Sequence, residues 1–158
     1  MIRMRERIQE MELEEQELQF RQFTNETALE VGLAIIEEAK SRGKSITTEI
    51  YRSGQRLFAH AMEGTSKDNE DWIRRKNNVV NRFGESSWHV TLRLREEGKS
   101  LDQDYGLPIE DYVGAGGGFP LIIEGEGLAG TITVSGLSDQ EDHDLLVAAL
   151  RRIRVSAT

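Results

Sequence analysis

The sequence predicts an α+β domain with a largely antiparallel sheet. Strand-like segments come in two adjacent pairs, and each pair is joined by a turn too short for a parallel crossover. Helical segments stand before, between and after these pairs, in the order helix, two strands, two helices, two strands, helix. The chain has 158 residues, of which 37% are hydrophobic, so one domain can bury a core of ordinary size.

Residues 1–23 are predicted to form a charged helical arm, followed by a single domain at residues 24–158. The first 20 residues of the arm are rich in Arg and Glu and contain no Gly or Pro. Four apolar residues recur at spacings of four, three and seven: Met4, Ile8, Met11 and Leu18. Two interpretations stay open, a solvated and partly frayed helix or an arm that packs on a neighbouring subunit.

The domain begins with a helix and a β-hairpin. Thr24-Asn25 can cap the helix, and Gly43 is a natural end for it. Residues 46–51 then alternate in character, as one strand of a hairpin does. Ser53-Gly54 turns the chain into the return strand at residues 55–62.

Two helices are predicted in the middle of the chain. Ser66 or Asp68 can cap the first, whose apolar residues from 72 to 83 recur at helical spacing. Residues 86–97 fit a strand or a capped helix, and we favour the helix. Residues 98–108 are predicted to be a polar connection.

A second hairpin and a final helix complete the prediction. Residues 119–124 and 128–135 form an antiparallel pair, since only three residues separate them. Pro120 lacks an amide donor, which favours an edge position or a loop entrance. Ser138 and Glu141 form a capping box at the start of the last helix.

Composition excludes several classes of function. The net charge of -8 argues against nucleic-acid binding by bulk electrostatics. The chain has no cysteine, which excludes disulfides, thiolate metal sites and cysteine nucleophiles. It begins with no apolar signal segment, and its longest apolar run is too short to cross a bilayer. We therefore expect a cytoplasmic protein with no membrane or nucleic-acid partner.

The glycines at 114, 116, 117 and 118 are the most unusual local feature. They lead into a strand and lack a Gly-Lys-Ser/Thr ending, so they are not a phosphate-binding loop. Because glycines are costly to order, either positive φ or close packing on bare backbone must require them. The packing partner is a ligand, another subunit or a helix of the same chain. Phe119-Pro120 follows directly.

The three histidines, His60, His89 and His143, lie on three different elements without metal-binding spacing, so no metal site is predicted. Asp142 can orient the imidazole of His143, or both can belong to an ordinary capped first turn. No Gly-x-Ser-x-Gly motif is present, and no catalytic residue is predicted.

Trp72, Arg75 and Lys76 combine an aromatic ring with positive charges on one helix. One interpretation is a core tryptophan beside a solvated basic face. The other is an anion site that receives a carboxylate or propionate.

Several segments together resemble the uncharacterised-protein branch of the GlcG/HbpS-like family, the haem-degrading domain proteins. The resemblance covers residues 25–155. The segments that carry it are 58–62, 64–65, 68–76, 86–87, 116–121, 134–137 and 142–143.

The resemblance implies a profilin-like sandwich with a five-stranded antiparallel sheet and helices on both sides. A fifth strand would lie near residues 111–115. It also implies homo-oligomers, from dimers to larger rings, and relatives that bind haem or a corrinoid-related cofactor. No histidine of this chain is matched to a haem ligand of those relatives.

We therefore predict an oligomeric protein that binds a small anionic or tetrapyrrole-like molecule, with haem as a candidate cofactor. A structural or adaptor oligomer without a ligand and a haem-degrading enzyme are the alternatives. The predicted ligand-binding residues are His60, Trp72, Arg75, Lys76, Gly116, Gly117, Gly118, Phe119, Pro120, Asp142 and His143.

Overall fold

The structure, a computed structural model, describes residues 2–157. Within these residues the chain forms six helices and four strands. In chain order they are α1 (Ile2–Glu17), α2 (Asn25–Ser41), β1 (Thr47–Arg52), β2 (Gln55–Ala61), α3 (Lys67–Phe83), α4 (Ser87–Glu97), α5 (Leu101–Tyr105), β3 (Gly118–Ile123), β4 (Gly127–Ser135) and α6 (Asp139–Ala157).

The four strands form one antiparallel sheet in the order β2-β1-β4-β3. The prediction of five strands is therefore wrong for the described residues. Residues 111–115 form a turn and a loop because helical side chains hold this segment. Asn78 Nδ2 donates a hydrogen bond to the Asp111 carbonyl at 2.8 Å, and Tyr112 packs beside Val79 and Leu94.

Helices cover both faces of the sheet, as predicted. Since side chains alternate along a strand, each strand supplies one set of residues to each face. One face packs against α2 and α6 in the main apolar core. The other face is polar, and α3 lies over its β3 and β4 side. The first face includes Ile50, Phe119, Ile132 and Val134, and the second includes Glu49, Thr131, Thr133 and Ser135.

Most local signals in the sequence are confirmed. Thr24 caps α2 by accepting a hydrogen bond from the Thr27 N–H at 3.1 Å. Ser53 and Gly54 both have positive φ, 50° and 82°, as a two-residue hairpin turn requires. Residues 86–97 contain a helix and not a strand, and Pro120 lies in the edge strand β3.

The predicted connection at residues 98–108 contains the short helix α5. Ser100 caps it by accepting a hydrogen bond from the Gln103 N–H at 3.2 Å. Leu101 and Tyr105 pack on a small apolar cluster that includes Val79 and Val90. These contacts fix a segment whose polar composition suggested only a loop.

The helix α1 packs on α4 of its own chain. Met11 is fully buried beside Trp88 and Leu92. This intramolecular packing differs from both interpretations of the charged segment, since the helix neither stands free in solvent nor needs a second subunit to cover Met11. The division between an arm and a domain at residue 23 stays a prediction. None of the helices in residues 2–157 has the length and hydropathy that spanning a bilayer requires.

Candidate functional site

The glycine loop is packed against the chain's own first turn of α6. A Cβ at Gly116 would overlap the backbone oxygen of Asp139, and one at Gly117 would overlap the Val134 oxygen. Gly117 also has a φ of 121°. Its carbonyl accepts a hydrogen bond from the Val134 N–H at 2.9 Å. The geometry thus matches packing on a helix of the same chain, and these glycines are buried.

Lys76 and Asp142 form a buried ion pair beside this loop. Lys76 Nζ lies 3.1 Å from Asp142 Oδ2 and donates a second hydrogen bond to the Val134 carbonyl at 2.8 Å. Burial raises the pKa of Asp142 to about 6, although Lys76 and the Leu137 N–H oppose that rise. Burial also lowers the pKa of Lys76, against the influence of Asp142. Lys76 is therefore engaged internally and is not part of an exposed basic face.

His143 is fully buried and bonds to α1. Its Nε2 lies 2.8 Å from Glu14 Oε1, while its Nδ1 has no hydrogen-bond partner within residues 2–157. The ring lies 6.4 Å from that of Phe119, measured between centroids. Asp142 binds Lys76 and the Leu137 N–H, so the structure shows no hydrogen bond by which it orients the imidazole.

His89 makes a matching contact with the next residue of α1. Its Nδ1 lies 2.9 Å from Glu15 Oε2, and that oxygen also accepts a hydrogen bond from the Ser86 N–H at 2.9 Å. Burial alone lowers the pKa of His89, but the hydrogen bond and charge of Glu15 outweigh it and the pKa is raised. Sequence reasoning missed Glu14 and Glu15, because nothing local distinguishes them from the other glutamates of α1.

Trp72 and Arg75 lie on the outer side of α3. Trp72 is 36% exposed and donates from Nε1 to Asp68 Oδ2 at 3.1 Å, so it is not the core residue that one interpretation expected. The Arg75 guanidinium carbon lies 5.1 Å from the Trp72 ring centroid, and Nη2 donates to the Ile109 carbonyl at 2.6 Å.

The structure therefore separates the predicted site residues into groups. His60 is exposed on the edge strand β2, opposite Thr48. Pro120 is buried opposite Thr131. One compact group is brought together around α6, and all of its members are buried. This group contains Lys76, Gly116, Gly117, Gly118, Phe119, Asp142 and His143.

An open cleft of about 730 Å³ lies elsewhere, between α3 and the polar face of the sheet. It exists because α3 covers β3 and β4 more fully than β1. Residues of α3, β1, β4 and the first hairpin line it. The charged and polar residues of this lining include Glu49, Tyr51, Arg56, Lys67, Glu70, Asp71, Arg74, Asn77 and Thr131.

The floor of the cleft consists of polar groups that are buried or half-buried. Tyr51 Oη donates a hydrogen bond to Glu49 Oε1 at 2.7 Å. Burial and then the Glu49 carboxylate raise the pKa of Tyr51, against a smaller opposing effect of Arg56. Asn77 Oδ1 accepts a hydrogen bond from the Thr133 hydroxyl. The Thr131 hydroxyl, on a side chain that is 1% exposed, has no partner among the residues that the structure describes.

The rim of the cleft carries both signs of charge. Arg56, Lys67 and Arg74 supply cations, and Glu70 and Asp71 supply exposed carboxylates. Arg74 is bound to Asp71 at 3.1 Å and to Asp111 at 2.9 Å. Arg56 and Lys67 therefore remain as the rim cations that stand apart from this network.

Sequence reasoning missed the cleft although one signal pointed to it. Alternation places Glu49 and Tyr51 on one face of β1, and Thr131 and Thr133 on the same face of β4. Two adjacent strands thus share a polar face, and a polar face that is covered by a helix must satisfy its hydrogen bonds inside the protein. Only the structure shows that α3 leaves part of this face open.

A second groove of about 840 Å³ lies between α6 and the segment that joins α1 to α2. Leu18, Phe20, Leu150 and Ile153 give it apolar walls. None of its lining residues has a buried side-chain polar atom without a partner. The sheet cleft is therefore the better candidate for a site that recognises a ligand by hydrogen bonds.

No group of three or more His, Asp or Glu side chains within the described part of the chain is arranged to hold a metal ion. The buried Glu–His contacts are pairs that join α1 to α4 and α6. They serve packing and are not arranged as a metal centre.

Known proteins share both the sequence and the fold of this chain. The sequence model of a family described as haem degrading protein HbpS-like matches residues 23–151. A UPF0303 protein of Serratia proteamaculans is 44% identical over 143 residues, which cover 90% of this chain and 89% of the relative.

Two solved structures extend the comparison. The Ybr137w protein superposes with a TM-score of 0.88 at 25% identity, covering 95% of this chain and 88% of that one. PduOC, solved as a complex with haem, superposes with a TM-score of 0.69 at 18% identity, covering 82% and 93%. At that identity the second likeness shows the fold alone.

Proposed function

This chain belongs to the HbpS-like family, as its resemblance to that family predicted, and from that premise we propose that it is a small-molecule-binding protein. The proposed site is the cleft between α3 and the sheet. The predicted residues around the glycine loop are buried and bonded to one another, so we assign them to the support of the fold.

One observation carries the proposal: the floor of the cleft has unused hydrogen-bonding capacity. In the described part of the chain the Thr131 hydroxyl has no partner, and Glu49 receives one side-chain hydrogen bond, from Tyr51. A buried polar group that lacks a partner costs about 1 to 3 kcal/mol. A ligand that bonds to these groups recovers this cost, which favours a polar ligand of modest size.

The rim supports the prediction that the ligand carries an acidic group. Arg56 and Lys67 stand at the mouth of the cleft and can attract a carboxylate or phosphate. The floor of the cleft does not favour an anion, because the Glu49 side chain lies there. We therefore propose that any acidic part of the ligand lies at the rim.

Haem does not fit the residues of this cleft. A haem iron requires a ligand such as His, Cys, Met or Tyr, and the macrocycle requires apolar walls. The cleft contains no His or Met among its lining residues, and its one tyrosine donates its hydroxyl hydrogen to Glu49. His89 and His143 are buried against Glu15 and Glu14. The family description thus names a ligand whose chemistry this cleft does not match.

Titration with haemin tests that disagreement. We expect weak binding without a sharp Soret shift, unchanged in His60→Ala, because His60 is solvent-exposed on β2. Tight binding that is lost in either His60→Ala or His143→Ala would contradict the assignment. Formation of biliverdin under a reductant would favour the haem-degrading alternative.

Two threonine variants test the site itself. Thr131 and Thr47 are both buried on strands of the sheet and both have hydroxyls without a partner, but only Thr131 lines the cleft. In an amide NMR screen of small polar molecules, we expect hits to shift the signals of Tyr51, Asn77 and Thr131. Thr131→Val should weaken these hits, and Thr47→Val should not.

Two results of that screen would contradict the proposal. If no molecule shifts the signals of the cleft, the alternative of a structural or adaptor protein gains support. If the two variants weaken every hit equally, the effect belongs to the stability of the sheet and not to a site. Native mass spectrometry of freshly purified protein adds a direct search for a ligand that co-purifies.

We also propose that the chain self-associates. The strand β2 is an edge of the sheet, and Leu29 and Leu33 are exposed on α2, the helix that packs beside it. An unpaired strand edge beside apolar side chains is a surface that a second copy can cover.

A further inference from the structure

We propose that the ligand of the cleft places a cationic nitrogen on Glu49. The inference rests on the proposed function and adds the chemistry of the group that reaches the floor. A primary ammonium or a guanidinium group fits this position. Together with an acidic group at the rim, this nitrogen makes the ligand a zwitterion.

The burial of Glu49 is the first observation. Its side chain lies in the middle of β1 and the residue is 4% exposed. Acidic residues are rarely buried so completely unless a cation or several hydrogen bonds compensate them. Within the part of the chain that is described, its one side-chain hydrogen bond comes from the neutral hydroxyl of Tyr51, at 2.7 Å.

The other buried carboxylates supply the contrast. Three acidic residues are buried among the described side chains: Glu14, Glu49 and Asp142. His143 Nε2 lies 2.8 Å from Glu14 Oε1, and Lys76 Nζ lies 3.1 Å from Asp142 Oδ2. Glu49 has no nitrogen partner of this kind within residues 2–157, and it is also the one of the three that lines the cleft.

The cations of the cleft are placed so that none of them pairs with Glu49. Arg74 is bound by Asp71 and by Asp111. Lys67 and Arg56 are exposed at the rim. Among residues 2–157 none of the three makes an ion pair with the floor carboxylate, and Arg56 acts on the Tyr51 hydroxyl, which leaves the carboxylate available to a cation of the ligand.

The floor presents acceptors that suit a nitrogen with several hydrogens. Glu49 lies opposite Thr133, and Tyr51 lies opposite Thr131, so Glu49 and Thr131 are diagonal neighbours on adjacent strands. The second carboxylate oxygen of Glu49 and the Thr131 hydroxyl can both accept hydrogen bonds. An ammonium offers three donors and a guanidinium five, whereas an anion would be repelled by Glu49.

Two matched carboxylate variants and three small probes test the inference. Methylguanidinium and methylammonium are the cations and acetate is the anion, each titrated into the full chain with amide NMR detection. We expect both cations to shift the signals of Tyr51 and Thr131. Glu49→Gln should weaken their binding about tenfold or more, since it removes a charge-assisted hydrogen bond.

Glu70→Gln is the control, because Glu70 lines the same cleft but is exposed at its rim. It makes the same change of charge and should alter the binding of the cations less than about threefold. Urea unfolding of each variant establishes that the fold is kept. Tyr51→Phe, which leaves the carboxylate in place, should still bind the cations.

The possible outcomes distinguish a failure of the inference from a failure of the proposed function. Cation binding that Glu49→Gln leaves unchanged, or floor signals that move with acetate alone, would overturn the inference and leave a ligand site in place. If none of the three probes shifts any signal of the cleft up to its solubility limit, the inference is wrong, and the wider screen of small polar molecules then decides the proposed function.

Discussion

Lys76 Nζ lies 3.1 Å from Asp142 Oδ2, in a pair that is buried between α3 and the first turn of α6. The pair also holds the end of β4, because Lys76 donates to the Val134 carbonyl and Asp142 accepts from the Leu137 N–H. Three elements that surround the glycine loop are thus joined at one point.

We expect Lys76→Met to lower the free energy of unfolding at pH 7 by about 3 to 5 kcal/mol, because it leaves a buried carboxylate without its cation. Burial already raises the pKa of Asp142 to about 6, and loss of the cation raises it further. The folded variant then binds a proton that the unfolded chain releases, so its stability falls as the pH rises.

Urea unfolding at pH 5 and pH 7 measures both effects of Lys76→Met, and the loss should be smaller at pH 5. Lys67→Met is the control, since Lys67 is exposed at the start of the same helix. It should change stability by less than about 0.5 kcal/mol. Equal small losses in the two variants would show that the buried pair contributes little.

A second prediction concerns His89, whose pKa is raised because Glu15, with Glu85 and Glu12, outweighs the effect of burial. A raised histidine pKa gives stability that is present below the unfolded pKa of about 6.5 and is lost as the pH rises through the folded value. The difference in unfolding free energy between wild type and Glu15→Gln should therefore be larger at pH 6 than at pH 8.

The measurement for His89 is the difference in unfolding free energy between wild type and Glu15→Gln across that range. Glu17→Gln, an exposed glutamate of the same helix, serves as the control and should show no such dependence. A difference that is constant from pH 6 to pH 8 would mean that Glu15 acts through packing alone.

The glycine loop should tolerate substitution at one position and not at two others. Gly116→Ala and Gly117→Ala each place a Cβ on a backbone oxygen, and Gly117 has positive φ. We expect each to destabilise the fold by about 2 kcal/mol or more. Gly114→Ala should change stability little, since its Cβ would lie 3.6 Å from the Thr91 side chain. If thermal unfolding showed the same loss of stability in all three variants, this prediction would be wrong.

Two residues of α1 test whether that helix is part of the core. Met11 is fully buried and Leu13 is 54% exposed. Met11→Ala should cost about 2 to 4 kcal/mol, whereas Leu13→Ala should cost less than about 0.5 kcal/mol. Denaturant unfolding of the two variants measures both costs. A similar small cost for both would support a helix that is only loosely attached.

Self-association is the fifth prediction. Light scattering at micromolar concentration should give at least twice the 17.9 kDa of one chain. Leu33→Glu on the exposed side of α2 should lower the assembly state because it places a charge on the apolar surface beside β2. Leu13→Glu, on the exposed side of α1, is the control. A monomer in wild type would refute this prediction.

The sequence predicts those parts of the fold that local chemistry decides. Thr24, Ser86 and Ser100 stand at helix starts, and Ser53-Gly54 can adopt the two positive φ angles of a hairpin turn. Each of these signals acts within a few residues. Ser100 was nevertheless overlooked, because the helix it caps has only five residues and too little apolar pattern.

Features that depend on distant residues escaped prediction. Nothing near Glu14 indicates a bond to His143, and nothing near Glu49 indicates that α3 stops short of it. Trp72 suggested a core position because it is aromatic, yet the buried side of α3 is formed by Ile73, Val79 and Val80. The fifth strand followed from the family resemblance, and it fails because α3 and α4 side chains hold residues 111 and 112.

The bond between Glu14 and His143 spans 129 residues, which constrains the order of events on the ribosome. At about 10 residues per second, more than about ten seconds separate the synthesis of the two partners. The first helix to be made is therefore among the last to complete its contacts. Until α4 has been translated, Met11 lacks Trp88 and Leu92 to pack on, and this stretch of nascent chain is open to chaperones and to neighbouring chains.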